Sequence, residues 1–255
     1  MLKHRVIPLV LLDGYSVIKT IEFKERRNLG NPITVAKVYN TRNVDELILL
    51  DIDAAKQNRS IDLFTIQEIA SECFMPLTVG GGLRSIEDIQ KVLEKGADKV
   101  TLNIGAMENP ELVREAASVF GAQCIVVSVD VYKQGDEYKV YSHVTNGTTE
   151  INVSDWCKQL EDNGAGEILL NIVNNDGKMK GYDYKIIKII SSIINIPVIV
   201  CGGASSPNDC VKAIEYGASA VCAASIFHFT SITPNDCKLA MIENGISVRD
   251  PKLFS

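Results

Sequence analysis

The chain has 255 residues, a hydrophobic share of 46% and a formal net charge of −6. This length is typical of one large α/β barrel domain, and the apolar share is sufficient for a complete core. The acidic balance argues against a general surface for nucleic acid, although a local cationic pocket is compatible with it. The apolar run near the N-terminus is too short to span a membrane, so we expect a cytoplasmic protein without nucleic-acid or membrane partners.

Apolar runs predict strands that begin near residues 5, 47, 77, 99, 125, 167, 197 and 220, with helical patterns between most of them. Continuous apolar runs, as opposed to alternating ones, are typical of parallel strands that are buried on both sides. The pattern therefore predicts an α/β fold, a (β/α)8 barrel, with a doubly wound open sheet as the alternative. We expect the charged residues 19–32 to form a long lid-like loop. Turn signals in residues 133–150 predict a β-hairpin excursion.

A repeat strengthens the barrel prediction. Residues 78–106 return as residues 199–227, each copy reading as a strand, a glycine turn, a capped helix, a glycine stop and a second strand. The spacing of the strands also repeats between the two halves of the chain. We therefore expect a single barrel domain over residues 1–255, built from half-barrels at about 1–122 and 123–255.

The seven cysteines form no CxxC pair and their number is odd. We interpret them as small, reduced core residues, and we expect neither a metal nor a cofactor. Cys201 stands where a strand meets a glycine turn, so a nucleophilic role is the alternative there, although no histidine neighbours it in sequence.

Active groups of such a barrel lie at the carboxyl ends of the strands. Two glycine turns occur there before helix N-termini, where free backbone N–H groups favour an anion; the alternative is that glycine only permits a tight turn. Their repetition favours a substrate with a phosphate at each end, held by Gly81, Gly82 and Asn103 on one side and by Gly202, Gly203 and Ser225 on the other. Lys19 either faces an anionic group or is solvated.

Asp130 ends an otherwise apolar strand, so its carboxylate is predicted to lie at the barrel mouth and to move protons. Its alternative role is to cap the next loop. At the opposite end, four charges of mixed sign begin strands: Arg5, Glu46, Lys99 and Glu167. If they point inward they must pair with one another, because unpaired buried charges are costly, and they would then close the barrel floor.

Several motifs together resemble the HisF family, the cyclase subunit of imidazole glycerol phosphate synthase. They are DELILLDIDA, PLTVGGGLRSIEDI, GADKVTLN, NGAGEILLNIVNNDGKMKGYD, VCGGA and AASIFHF. The resemblance implies a glutaminase partner at the barrel floor, from which ammonia passes through the barrel. It also implies that the four floor charges act as the ammonia gate and that Asp130 is a catalytic aspartate. The phosphate contacts it implies are Gly82, Asn103, Gly177, Gly203, Ala224 and Ser225.

The departures from the family pattern lie on the substrate face. Leu11 stands where the family has its first catalytic aspartate, and Ile104, Asn171 and Cys201 replace hydroxyl residues. A leucine cannot move a proton. We therefore expect the ammonia inlet to be kept while the acceptor has changed, as in HisF-like paralogues that form amidino groups on surface-polysaccharide sugars.

The alternative is the cyclase subunit of histidine biosynthesis. Two further possibilities are a sugar isomerase, in which the floor charges would have no use, and a non-catalytic subunit that only activates a glutaminase, in which Asp130 would be dispensable. For both the amidino-sugar paralogue and the histidine-pathway cyclase, we expect the acceptor to be a small phosphorylated or nucleotide-linked molecule.

Overall fold

The computed structural model describes residues 3–42 and 44–251. Its strands, in chain order, are β1 (Arg5–Asp13), β2 (Ser16–Ile21), β3 (Glu25–Gly30), β4 (Leu47–Asp51), β5 (Leu77–Gly80), β6 (Lys99–Leu102), β7 (Ile125–Gln134), β8 (Glu137–Ser142), β9 (Gly147–Asn152), β10 (Glu167–Ile172), β11 (Val198–Cys201) and β12 (Ala220–Ala223). Eight of them, β1, β4, β5, β6, β7, β10, β11 and β12, pair in parallel in that order. Strand β12 then pairs with β1, which closes the barrel and rules out the open sheet.

Helices surround this barrel. They are α1 (Pro32–Thr41), α2 (Leu63–Ala70), α3 (Ile86–Glu94), α4 (Ile104–Glu108), α5 (Glu111–Phe120), α6 (Val153–Asp162), α7 (Tyr184–Ser191), α8 (Pro207–Glu215), α9 (Ser225–Phe229) and α10 (Pro234–Glu243). The repeated helices α3 and α8 begin alike, because Ser85 and Ser206 each accept a backbone N–H of the first turn. They also end alike, since Gly96 and Gly217 follow at φ 103° and 105°.

The prediction of a loop at residues 19–32 was wrong. Strands β2 and β3 form an antiparallel hairpin there, with Lys19 opposite Arg27. The turn places Glu22 and Phe23 at φ 49° and 62°, a left-handed pair that is normally signalled by asparagine or glycine. Without that signal, and with an outer strand that is almost entirely exposed and has no apolar alternation, the sequence did not indicate a hairpin. The second predicted hairpin, now β8 and β9, was confirmed.

Side chains of the barrel strands alternate between two cores. On β1, Val6 and Val10 pack outward against the helices, whereas Ile7, Leu9 and Leu11 belong to the core inside the barrel. Arg5 precedes this inward series by one period of two, so its side chain is on the inner face at the floor. The same period links Glu46 with Ile48, and it links Asp130 with Val126 at the mouth end of β7.

All seven cysteines are free, and five of them are buried, as expected of small core residues. Burial raises the pKa of the Cys157 thiol to about 12. Over residues 3–42 and 44–251, no helix has the length and apolarity needed to cross a membrane.

Candidate functional site

The four predicted floor charges form a closed ring. Arg5 lies 2.6 Å from Glu46 and 3.1 Å from Glu167. Lys99 lies 3.1 Å and 3.3 Å from the same two carboxylates. Each cation therefore bridges both anions, and the ring spans the amino-terminal ends of β1, β4, β6 and β10. Charges removed from water in this way need such mutual pairing.

Glu46 is the most enclosed member of the ring. Its side chain is 2% exposed, and besides the two cations it accepts a hydrogen bond from the Thr78 hydroxyl at 2.6 Å. Burial lowers the pKa of Arg5, but the neighbouring carboxylates of Glu167 and Glu46 outweigh it, so the pKa of the guanidinium is raised above its ordinary value. Above the ring lies the barrel interior, whose side chains are uncharged and mostly apolar, with the hydroxyls of Thr101 and Ser128 among them. The floor is thus a charged layer one residue thick beneath an apolar lumen.

Asp130 lies at the opposite end of the lumen and is 5% exposed. Both of its oxygens accept hydrogen bonds from side-chain amides, one from Asn103 at 2.9 Å and one from Asn171 at 3.1 Å. Asn103 follows β6, Asp130 is in β7 and Asn171 is in β10, and the three residues lie together because the carboxyl ends of the parallel barrel strands meet at one rim. The carboxylate is therefore fixed in place on the mouth side, as predicted.

Leu11 is on the same rim but contributes no polar group. It is 5% exposed, belongs to the core inside the barrel and lines the same cavity as Asp130. Its neighbour in register on β4 is Leu50, so this wall of the mouth is apolar. The nearby Asp13 points elsewhere, accepting a hydrogen bond from Arg26 at 2.7 Å.

The larger cavity at the mouth encloses about 900 Å³, including its open side, and reaches from Asp130 to the first glycine turn. A Cβ at Gly82 would lie 1.9 Å from the Arg59 carbonyl oxygen, so only glycine fits there. Asn103 lines this cavity and is the N-cap residue of α4. Ile104, which follows it, is 7% exposed and offers no hydroxyl. The predicted residues of the first anion site are thus brought together.

A second pocket of about 280 Å³ lies at the other glycine turn. The predicted residues meet again here, since its lining includes Lys19, Gly177, Gly202, Gly203, Ala224 and Ser225. A Cβ at Gly203 would lie 2.2 Å from the Gly181 carbonyl oxygen. Lys19 is 3% exposed, so it is not the solvated side chain of the alternative reading. No ion pair involves Lys19 within residues 3–42 and 44–251, which leaves its charge directed to this pocket.

Cys201 also lines the second pocket. Burial, assisted by the neighbouring Cys201 thiol, raises the pKa of the Cys222 thiol well above its ordinary value. Close by, His228 is hydrogen-bonded to the Tyr39 hydroxyl at 3.4 Å. Burial, assisted by the charges of Lys19 and Arg42, lowers the pKa of His228 to about 4.

Two polar residues of the mouth were missed at the sequence level. Asp176 is buried, accepts a hydrogen bond from Thr20 at 2.8 Å and lines both pockets. His143 places Nδ1 3.5 Å from Asp130 and lines the larger cavity. His143 follows strand β8 of a hairpin, and only the fold of that hairpin over the mouth brings it to Asp130. No spacing in the sequence signals this.

Comparisons with known proteins agree with this architecture. A family model described as histidine biosynthesis protein matches residues 5–233. A hisF2 protein of Campylobacter jejuni, provisionally named a subunit of imidazole glycerol phosphate synthase, is 46% identical over 98% of this chain and 99% of its own length. The imidazole glycerol phosphate synthase subunit HisF of Dictyoglomus thermophilum is 43% identical, and that of Thermococcus onnurineus 42%, with the same coverage. The chain therefore belongs to the HisF family of (β/α)8-barrel enzyme subunits.

Proposed function

We propose that this protein is the synthase subunit of a glutamine amidotransferase complex. In this proposal a glutaminase partner docks at the barrel floor, ammonia enters through the ring of Arg5, Glu46, Lys99 and Glu167, and it reacts at the mouth with a phosphorylated or nucleotide-linked acceptor. The observation that carries the proposal is the closed ion-pair ring directly beneath an apolar lumen.

An apolar lumen suits ammonia as cargo. The interior core over Ile7, Leu9, Ile48, Leu169 and Ile199 provides no charge to hold an ammonium ion. Neutral ammonia has a lone pair and needs no base to activate it once it arrives without a proton. The ring must open for each passage. Because every cation has two anionic partners, one contact can break while the other persists.

Two anion pockets on one rim support the second half of the proposal. Backbone N–H groups at glycine turns and helix N-termini bind phosphate, and Lys19 adds a buried positive charge on one side. An acceptor that spans both pockets places its middle portion against Asp130. Asp130 would then transfer protons at the reacting carbon.

For the acceptor, we infer an acylated amino sugar that becomes an amidino sugar, as in surface-polysaccharide synthesis. Ammonia nitrogen adds to the acyl carbonyl carbon, and the carbonyl oxygen leaves as water, or as phosphate when it arrives phosphorylated. Leu11 supports this acceptor, because a ring closure that needs acid and base on opposite walls lacks one of its two groups here.

The second candidate is the cyclase reaction of histidine biosynthesis. The names of the most similar relatives favour this candidate over the amidino-sugar acceptor. Against it stand the apolar wall formed by Leu11 and Leu50 and the loss of a hydroxyl at Ile104, both at the substrate face.

An ammonium-fed assay tests the proposal without the partner. The purified protein receives saturating ¹⁵N-ammonium with either a nucleotide-linked N-acetylated amino sugar or phosphoribulosyl-formimino-AICAR ribonucleotide. We expect ¹⁵N in the sugar, with oxygen replaced by an imino group in its mass spectrum. Label in imidazole glycerol phosphate alone would establish the second candidate. Label in neither product would sink the proposal of a synthase, and Asp130→Asn, expected to lose activity, is the control for the site.

A further inference from the structure

We propose that His143 and Asp130 form a proton-transfer pair, with His143 as the group that acts on the acceptor. This inference rests on the synthase function proposed above and names a second acid–base residue for it. The fold places the imidazole Nδ1 3.5 Å from a carboxylate oxygen of Asp130.

The position of His143 follows from the hairpin inserted after β7. Strand β7 continues past Asp130 to Gln134, and β8 returns antiparallel to it, with Val140 opposite Val131. Three residues after Val140, the chain has come back to the rim and places His143 over Asp130. Its side chain is 17% exposed, so it is reached by solvent and by a ligand in the cavity that it lines.

The hydrogen bonds of Asp130 leave it suited to orient an imidazole. Asn103 donates to the same oxygen that faces His143, and Asn171 donates to the other, so the carboxylate is held from both sides. A carboxylate oxygen beside Nδ1 is a hydrogen-bond acceptor, so it favours the tautomer with the proton on Nδ1, which leaves a lone pair on Nε2. Within residues 3–42 and 44–251, Nε2 of His143 has no hydrogen-bond partner. It is therefore available to a substrate.

The separation of 3.5 Å is longer than a good hydrogen bond. Catalytic contacts are often long in substrate-free sites and shorten when the substrate is bound. The strands of the hairpin that leads to His143 also include a stacked aromatic pair, Tyr132 on β7 and Tyr141 on β8, with ring centroids 5.9 Å apart. This contact joins the two strands of the hairpin close to Asp130.

The proton inventory of the proposed step balances with this pair alone. When ammonia adds to the acceptor carbon, its nitrogen must lose two protons to become an imino nitrogen, and the former carbonyl oxygen must gain two to leave as water. Nε2 of His143 accepts these protons one after the other and passes each of them to the departing oxygen. Asp130 keeps its hydrogen bond to Nδ1–H throughout and stabilises the transient imidazolium. Leu11 on the other wall is then not required for proton transfer.

The pairing is tested first without any acceptor. The chain has three histidines, so long-range ¹H–¹⁵N spectra of the ¹⁵N-labelled protein resolve each ring. At a pH where the rings are neutral, we expect the proton of His143 on Nδ1 in the wild type and on Nε2 in Asp130→Ala. Asp155→Ala, on the surface of α6, is the matched control and should leave His143 unchanged. A proton on Nε2 in the wild type, or no response to Asp130→Ala, would overturn the pair.

The kinetic role is tested on whichever acceptor takes up nitrogen. His143→Asn keeps a donor beside Asp130 but cannot relay a proton, so we expect kcat to fall about 10²-fold or more with little change in KM. Added imidazole should restore part of the activity of His143→Ala. If His143→Asn keeps near-normal kcat, the residue only positions Asp130. Since the spectra need no acceptor, failure of the synthase function and failure of the pair appear in different experiments.

Discussion

The guanidinium of Arg5 lies 2.6 Å from the carboxylate of Glu46, at the amino-terminal ends of two adjacent parallel strands. Both side chains point into the barrel, because each shares the inner face of its strand with lumen residues. The pair is one side of a ring that includes Lys99 and Glu167. A barrel can close its floor with apolar side chains alone. A ring of charges at that position therefore favours a role in the passage of a small molecule through the floor.

Removing Glu46 should be strongly destabilising. Glu46→Ala leaves Arg5 and Lys99 with only Glu167 in a largely buried setting, and breaking such a network costs about 3–5 kcal/mol of unfolding free energy. Urea unfolding measures this loss. Glu111→Ala is the control, because the pair of Glu111 with Arg114 is exposed and such pairs contribute about 0–1 kcal/mol. Equal effects of the two substitutions would show that the ring does not hold the floor together.

The first glycine turn is predicted to tolerate no side chain. Gly82→Ala forces a Cβ to 1.9 Å from the Arg59 carbonyl oxygen at φ 67°, so the turn must move and inorganic phosphate should bind more weakly. Gly14→Ala is a matched control, since it has a similar φ of 60° but no atom within 4 Å of the added Cβ. We expect a loss of about 1 kcal/mol for Gly14→Ala and about 3 kcal/mol or more for Gly82→Ala in urea unfolding. Similar losses would mean that φ alone, and not the close contact, requires glycine.

His228 should make the protein sensitive to mild acid. Its pKa is lowered from 6.5 to about 4, chiefly by burial, so between these values the unfolded chain binds a proton that the folded chain does not. The contribution of His228 to the free energy of unfolding is therefore fully present above pH 6.5 and decreases as the pH falls toward 4. Near pH 4 the loss is about 2–3 kcal/mol.

Urea unfolding near neutral pH and near the lower end of this range measures that loss. His228→Gln should show a correspondingly smaller difference between the two conditions, because glutamine does not titrate. A variant whose stability falls as steeply as that of the wild type would assign the acid sensitivity to carboxylates elsewhere.

The barrel and its floor were predictable from the sequence for a physical reason. Buried parallel strands are continuous apolar runs, and a charge such as Lys99 at the start of one is conspicuous against them. The period of two then fixes which way the charge points. The pairing itself followed from the cost of leaving such charges alone, and the structure confirmed it.

The parts that could not be predicted depend on contacts between distant segments. The turn at Glu22 and Phe23 adopts left-handed backbone angles without asparagine or glycine, so the β2–β3 hairpin left no signal. His143 meets Asp130 only because the β8 register returns it to the rim. Asp176 likewise is paired with Thr20, which is 156 residues away in sequence. The spacing of residues in the sequence does not predict such contacts between distant segments.

Installing an acid at position 11 should cost stability. Leu11 is packed among Leu9, Ile18 and other residues of the core inside the barrel. In Leu11→Asp a carboxyl group replaces the packed side chain, so we expect a loss of about 2–5 kcal/mol in urea unfolding. Leu11→Asn, of similar shape but uncharged, is the control that separates lost packing from the added charge. Full stability of Leu11→Asp would show that the mouth already accommodates an acid there.

The most direct test of the central claim, that ammonia entry is kept while the acceptor chemistry has changed, is the yield of imidazole glycerol phosphate. Wild-type protein and Leu11→Asp are each given saturating ammonium and phosphoribulosyl-formimino-AICAR ribonucleotide. We predict no imidazole glycerol phosphate from the wild type and measurable product from Leu11→Asp. Sustained formation of that product by the wild type would contradict the account and assign the protein to histidine biosynthesis.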